Sequence, residues 1–159
     1  MTVELLDEVI AEALRHVNRI SNHQEICVDL PDELLFVKID AKLIVQVIIN
    51  IVNNAMKYTP PDSKVVITAG NEGEWTAVRI ADNGNGIDEE TRAHIFEMFY
   101  TGKQTVADSR RSMGVGLSLC KSVIQAHGGT ITVSENKPHG AVFTFTLRTY
   151  RPEIEDHIY

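Results

Sequence analysis

The run from Ala41 to Lys57, AKLIVQVIINIVNNAMK, constrains this chain more than any other segment. Its apolar spacing is helical, with Val47, Ile48, Ile51 and Val52 on the side that has to be buried. Asn50, Asn54 and Lys57 follow one another at four and then three residues, so they share a different face near the C-terminal end. Asp40 is placed to cap the start of this helix, and Pro60-Pro61-Asp62 stops it.

The remaining pattern alternates helices with strands. Leu6, Val9, Ile10, Ala13 and Leu14 form a helical stripe in a segment beginning at Glu4. Residues 25–30 and 34–39 read as strands, as do 64–69 and 75–81, the latter two joined as a hairpin through Asn71-Glu72-Gly73-Glu74. A short helix is expected over 88–96 and a longer one over 115–127, ended by Gly128-Gly129. Strands over 130–134 and 141–147 close the fold, the last with strict alternation in Val142-Phe143-Thr144-Phe145-Thr146. This order predicts an α/β protein built as an α+β two-layer sandwich, a mixed sheet with helices packed on one face. One domain is expected over 1–150, with residues 1–22 as linker and first helix and 151–159 as a polar tail. Residues 101–113 have no clear period and read as a loop.

Composition narrows the function classes. A net charge of −7 argues against nucleic acid or an anionic membrane as partner. The longest apolar run, from Leu43 to Val52, is far too short to cross a bilayer, so no direct membrane insertion is expected. Cys27 and Cys120 are too few for a disulfide framework, which points to a reducing compartment. No histidine–cysteine spacing suggests zinc, and no Gly-x-x-x-x-Gly-Lys-Ser/Thr loop is present.

Polar chemistry gathers at separate places instead. Asp82-Asn83-Gly84-Asn85-Gly86-Ile87 ends a strand 28 residues beyond Asn54. Gly84 and Gly86 permit close backbone approach, and a carboxylate at Asp82 accepts hydrogen bonds from an exocyclic amino group. Alone, this stretch is equally an Asx turn. The amide oxygen of Asn54 suits Mg²⁺, which demands hard oxygen ligands, and Lys57 can meet a phosphate, although asparagines also simply cap a helix end. Tyr58 can lay its ring against a base. Gly114-Val115-Gly116-Leu117 opens a helix with free backbone amides, which favour an anion. The aromatics of Ile95-Phe96-Glu97-Met98-Phe99-Tyr100 read first as core packing.

In their order these segments resemble the catalytic ATP-binding domain of sensor histidine kinases, within the Bergerat-fold ATPase/kinase superfamily. Asn50-x-x-x-Asn54-Ala55-x-Lys57-Tyr58 is similar to the N box, and Asp82-x-Gly84-x-Gly86-Ile87 to the first glycine box. Phe96-x-x-Phe99 resembles the F box and Gly114-x-Gly116-Leu117 the second glycine box, with Ser112 where the family has its first glycine. His127-Gly128-Gly129 also fits. Residues 57–61 and 136–143 look most like KdpD-type kinases, which respond to potassium limitation.

The resemblance implies that Asn54 holds Mg²⁺, Lys57 contacts phosphate, Tyr58 stacks near adenine and Asp82 reads the adenine amino group. Asn50, Gly84, Gly86, Ile87, Gly114, Val115, Gly116 and Leu117 would line the rest of an ATP site. Residues 101–113 would be the ATP lid, with Lys103, Arg110 or Arg111 closing over the phosphates. Ala141 stands where related strands carry a threonine that helps bind adenine through water.

In gyrase-like ATPases and anti-sigma serine kinases, a glutamate four residues before the metal-binding asparagine is the general base. Asn50 occupies that position here, and an amide cannot act as a base. None of the 6 histidines lies in a phosphoacceptor-type motif. The expected activity is therefore transfer of the ATP γ-phosphoryl group to a histidine on a separate dimerisation/phosphoacceptor domain, and indirectly to a response regulator. By the same resemblance this would be a cytoplasmic domain of an inner-membrane sensor. A nucleotide-regulated binding module without phosphotransfer and a free-standing anti-sigma serine kinase are the alternatives.

Overall fold

Alternation along β5 and β7 builds the centre of the molecule. In β5 (Trp75–Asp82), Thr76, Val78, Ile80 and Asp82 are buried on one side, and in β7 (Ala141–Arg148) Ala141, Phe143, Phe145 and Leu147 are buried likewise. These residues fill the space between a sheet and a layer of helices. The computed structural model describes residues 1–17, 24–57, 59–97 and 116–151.

In chain order the other elements are β1 (Thr2–Leu5), α1 (Leu6–Leu14), β2 (Glu25–Asp29), β3 (Phe36–Ile39), α2 (Ala41–Lys57) and β4 (Lys64–Glu72). After β5 come α3 (Glu89–His94), α4 (Gly116–Ala126) and β6 (Ile131–Glu135), and then β7. The main sheet has 5 strands in the order β2-β4-β5-β7-β6. β2 runs parallel to β4 and every other neighbouring pair is antiparallel, which makes the sheet mixed as expected.

Helix α2 packs between α1 and α4 on one face of this sheet. Its buried residues are Ile44, Val47, Ile48, Ile51, Val52, Ala55 and Met56, the stripe that the sequence marks. The Asp40 carboxylate accepts from Leu43 N at 3.2 Å, so the expected cap is in place. α4 ends where Gly128 N and Gly129 N return to the carbonyls of Gln125 and Ile124, a Schellman arrangement. His127 then joins the two helices. Its Nε2 accepts from Asp40 N at 3.0 Å while Nδ1 donates to Val123 O at 2.8 Å, which fixes the tautomer with hydrogen on Nδ1.

Two expectations change. The segment read as helical from Glu4 begins as strand β1, because residues 2–5 pair antiparallel with β3, from Thr2 opposite Ile39 to Leu5 opposite Phe36. The helix starts only at Leu6, whose amide donates to Leu35 O. Helical periodicity alone cannot mark that junction, since a four-residue strand gives too short a signal. At the other end, Tyr150 N donates to Phe36 O, and the Arg151 guanidinium bonds Asn71 Oδ1 and Gly73 O, so the stretch expected as a tail starts anchored. Residues 152–159 lie outside the described residues. Among the described residues, no helix is long and apolar enough to cross a membrane.

Ile48 is fully buried at the centre of α2, whereas Leu34 is 62% exposed. Ile48→Ala should therefore cost about 3 kcal/mol in urea unfolding, while Leu34→Ala should stay within about 0.5 kcal/mol of the parent.

Candidate nucleotide-binding site

Asp82 is the last member of the inward alternation of β5, which is why a carboxylate ends up only 7% exposed. Its Oδ1 accepts from Gly84 N at 2.9 Å and from Ala141 N at 3.2 Å. Among the described residues Oδ2 accepts no hydrogen bond. A buried carboxylate oxygen without a donor is costly, so this geometry calls for a donor from a ligand or water.

The loop after Asp82 is held from two sides. From one side, Thr59 sits so close to Gly84 that a Cβ there would lie 2.6 Å from Thr59 Cγ2. Thr59 in turn accepts from Ser63 Oγ at 2.6 Å, and the buried Gln24 donates to Met56 O at 2.9 Å in the last turn of α2. From the other side comes the turn between β6 and β7. Asn136 Nδ2 donates to Asp82 O at 2.7 Å, and His139 Nδ1 donates to Gly84 O at 2.9 Å. Gly140 (φ 115°) lies flat against Asp82, where a Cβ would come within 2.0 Å of its carbonyl oxygen.

Helix α2 also reaches the start of α4. Asn50 Nδ2 donates to Gly116 O at 3.4 Å, and its Oδ1 accepts from Gln46 Nε2 at 3.1 Å. Cys120, one turn further along α4, donates to Val47 O at 3.7 Å. Burial pushes this thiol up to about 12, opposed in part by a hydrogen bond with the Asn50 side chain. The helix that carries the asparagines thus touches the glycine turn at one end and the N-terminus of α4 along its side.

Asn54 and Lys57 lie half-buried in the final turns of α2. Among the described residues the Asn54 carboxamide makes no hydrogen bond, so its oxygen is available to a hard cation. One protein oxygen is enough for Mg²⁺, which keeps several waters and takes phosphate oxygens as further ligands.

Ile87 and Leu117 are partly buried and pack against the core, which anchors the first glycine turn and α4 rather than offering polar contacts. Phe96 meets Phe143 edge-on with ring centroids 6.1 Å apart, in agreement with the core-packing expectation. Tyr58, Phe99, Gly114, Val115 and the whole 101–113 segment, with Lys103, Arg110, Arg111 and Ser112 at or beside it, lie outside the described residues. A separate open groove of about 640 Å³ between α1 and α2 is lined by Glu12, His16, Lys42, Val45, Ile49 and Asn53, and none of the four motif segments but the helix itself borders it.

Sequence reading missed Gln24, Thr59, Asn136, His139 and Gly140 as parts of this site. Asn136 reaches Asp82 across 54 residues of chain, a separation no local pattern encodes. Only the glycine before β7, following a proline-containing turn, hinted at a close approach.

The model of the histidine kinase-, DNA gyrase B- and HSP90-like ATPases matches residues 39–151, the segment that contains every one of the motif residues. The chain belongs to this family. It is 37% identical over 145 residues to the sensor protein KdpD of Clostridium acetobutylicum, covering 91% of the chain but 16% of that protein. The catalytic domain of the histidine kinase ThkA superimposes with a TM-score of 0.76 at 32% identity, covering 92% of this chain and 94% of that one. ThkA has also been solved in complex with the response regulator TrrA. The mycobacterial sensor histidine kinase MprB gives a TM-score of 0.81 at 25% identity, with 92% and 97% covered. The chain thus matches whole solved catalytic domains, yet it spans only 16–32% of curated relatives such as KdpD and the sensory kinase SasA of Microcystis aeruginosa.

In this ATPase-family domain the buried Cys120 supplies a simple check. Ionising it favours the unfolded chain, so its contribution to stability is complete below about pH 9 and is lost as pH rises towards about 12. At pH 8 an aromatic disulfide reagent should titrate Cys27, which is half-exposed, while Cys120 reacts only after urea unfolding. Rapid reaction of both thiols in the native protein would contradict the α2–α4 packing.

Proposed function

We propose that this domain binds Mg²⁺-ATP between the end of α2, the Asp82 turn and the start of α4, and delivers the γ-phosphoryl group to a histidine on a separate dimerisation domain. The observation that supports this reading is the Asp82 carboxylate, buried, with Oδ1 accepting from two backbone amides and Oδ2 without a donor among the described residues. Oδ2 would take the adenine amino group, while the Gly84 and Gly86 backbone would allow the flat base to approach. Asn54 would supply an oxygen to Mg²⁺, Lys57 a charge to the phosphates, and Tyr58 a ring beside the base. Gly114, Val115 and Gly116 would offer amides at the positive end of α4. When bound, Mg²⁺ neutralises developing charge on the phosphates.

Phosphoryl transfer asks mainly for positioning and charge stabilisation, which a binding domain of this kind can provide. Asn50 supports transfer over hydrolysis. It stands where related ATPases place a basic glutamate, and its amide is spent on Gln46 and on the first carbonyl of α4. A group that cannot take a proton does not activate water. The proton acceptor would then accompany the receiving histidine, and a response regulator would be the next recipient. A cytoplasmic domain of a membrane sensor would be its setting, and the similarity to KdpD sensor proteins supports a KdpD-type kinase.

Calorimetric titration tests the site. Asp82→Ala should lower ATP affinity at least about tenfold, the worth of a hydrogen bond to a charged group. Asn54→Ala should abolish the increase in affinity that Mg²⁺ gives while leaving metal-free ATP binding nearly unchanged. Equal binding by Asp82→Ala and the parent would rule the adenine contact out. On its own the domain should incorporate almost no label from γ-labelled ATP, and a dimerisation domain from a KdpD-type kinase added in trans should become labelled on histidine.

A further inference from the structure

Where β5 meets β7, the pairing ladder stops one residue early. Its last pair is Ala81 opposite Val142, and in register the next would be Asp82 opposite Ala141. Ala141 N–H instead donates to the Asp82 side chain, at Oδ1. The Asp82 carbonyl is covered by a side chain 54 residues away, through Asn136 Nδ2 at 2.7 Å. Each peptide group at this point has been exchanged for a side-chain partner, and both exchanges involve Asp82.

Asn136 is itself immobilised. Its N–H donates to Gly140 O at 3.0 Å, closing the turn, and its Oδ1 accepts from Lys137 N at 2.9 Å. With those two groups engaged, Nδ2 has one direction left, towards Asp82 O. His139 repeats the contact one loop further on, at Gly84 O, and Gly140 brings the turn so close that no other residue fits against the Asp82 carbonyl. Asp82 is thereby held at its backbone carbonyl by Asn136 and at Oδ1 by the Gly84 and Ala141 amides, and the orientation of Oδ2 follows from the two together.

We propose that Asn136, with His139 in support, is the positioning residue that sets base specificity at this site: it holds Asp82 so that Oδ2 selects a purine bearing a 6-amino group. This deepens the function proposed above and rests on the reading of Asp82 as the adenine contact. Asn136 touches no nucleotide in this scheme. It acts through Asp82 alone, so its effect should be confined to the ligand's 6-amino group.

The test is a cycle between protein and ligand, using the Mg²⁺ complexes of ATP and of purine riboside triphosphate, which lacks only that amino group. The parent should prefer ATP by about tenfold or more, the range expected for a hydrogen bond to a carboxylate. Asn136→Ala should shrink this preference at least about threefold by weakening ATP binding, with affinity for the desamino analogue unchanged, as expected of directly coupled groups. His139→Ala, at an exposed position where folding is not at stake, should shrink it in the same sense, and Lys137→Ala should leave it intact. Equal loss for both nucleotides in Asn136→Ala and His139→Ala would mean that the turn only supports the fold, and overturns the proposal. A full preference retained in both variants overturns it as well, with the Asp82 reading left standing. A parent that binds both nucleotides equally removes the Asp82 contact and this proposal together.

Discussion

The placement of one carboxylate at the end of a buried strand governs the site. Strand alternation carries Asp82 inward, as it does Val78 and Ile80 before it, but a carboxylate there has to be given hydrogen bonds. Two amides reach Oδ1, and obtaining them bends the chain sharply at Gly84 and draws the start of β7 away from regular pairing. That displacement exposes the Asp82 carbonyl, which recruits Asn136, and it requires Gly140 where the two chains touch. The glycine turn and the β6–β7 turn are in this sense consequences of burying Asp82.

The second constraint is mechanical. Helix α2 is apolar along most of its surface and is gripped by α1, α4 and the sheet, so its position is determined by packing. Its polar residues occupy the limited surface the packing leaves. Asn50 is used at the seam with α4, beside Cys120 and Gly116, whereas Asn54 lies one turn on, half-buried, and among the described residues its carboxamide makes no hydrogen bond. Two asparagines of equal chemistry thereby differ: one is spent between α2 and α4, and the other has no hydrogen bond to its carboxamide among the described residues. His127 adds to this rigidity by tying the end of α4 to the cap of α2, so at their termini away from the site the two helices are held by hydrogen bonds as well as by apolar contact.

Much of this was legible in the residues because it is local. The buried stripe of α2, its cap at Asp40, the alternation of β7 and the stop at Gly128-Gly129 each follow from spacing within a few residues, and the structure has them as expected. Asp82 and Asn54 stood out by chemistry, since a carboxylate ending an apolar strand and an amide on an apolar helix are both anomalies. What could not be read is long-range. β1 is too short to announce itself and exists because β3 offers it an edge. Asn136 and His139 look like ordinary turn residues until the sheet brings them to Asp82 and Gly84, and Gln24 looks like a surface glutamine until it is found beneath the last turn of α2.

The difference between Asn50 and a glutamate at the same place bears on why such a domain would need a second one. In the function proposed above, a glutamate in place of Asn50 could act as a base towards water at the γ-phosphate. An amide removes that capacity and has a second effect: its donor and acceptor together bridge Gln46 and the α4 carbonyl, which a carboxylate, having no donor, could not do. Restoring a base by substitution would therefore loosen the α2–α4 seam at Gly116. The amide that cannot act as a base is thus the same group that holds the start of α4.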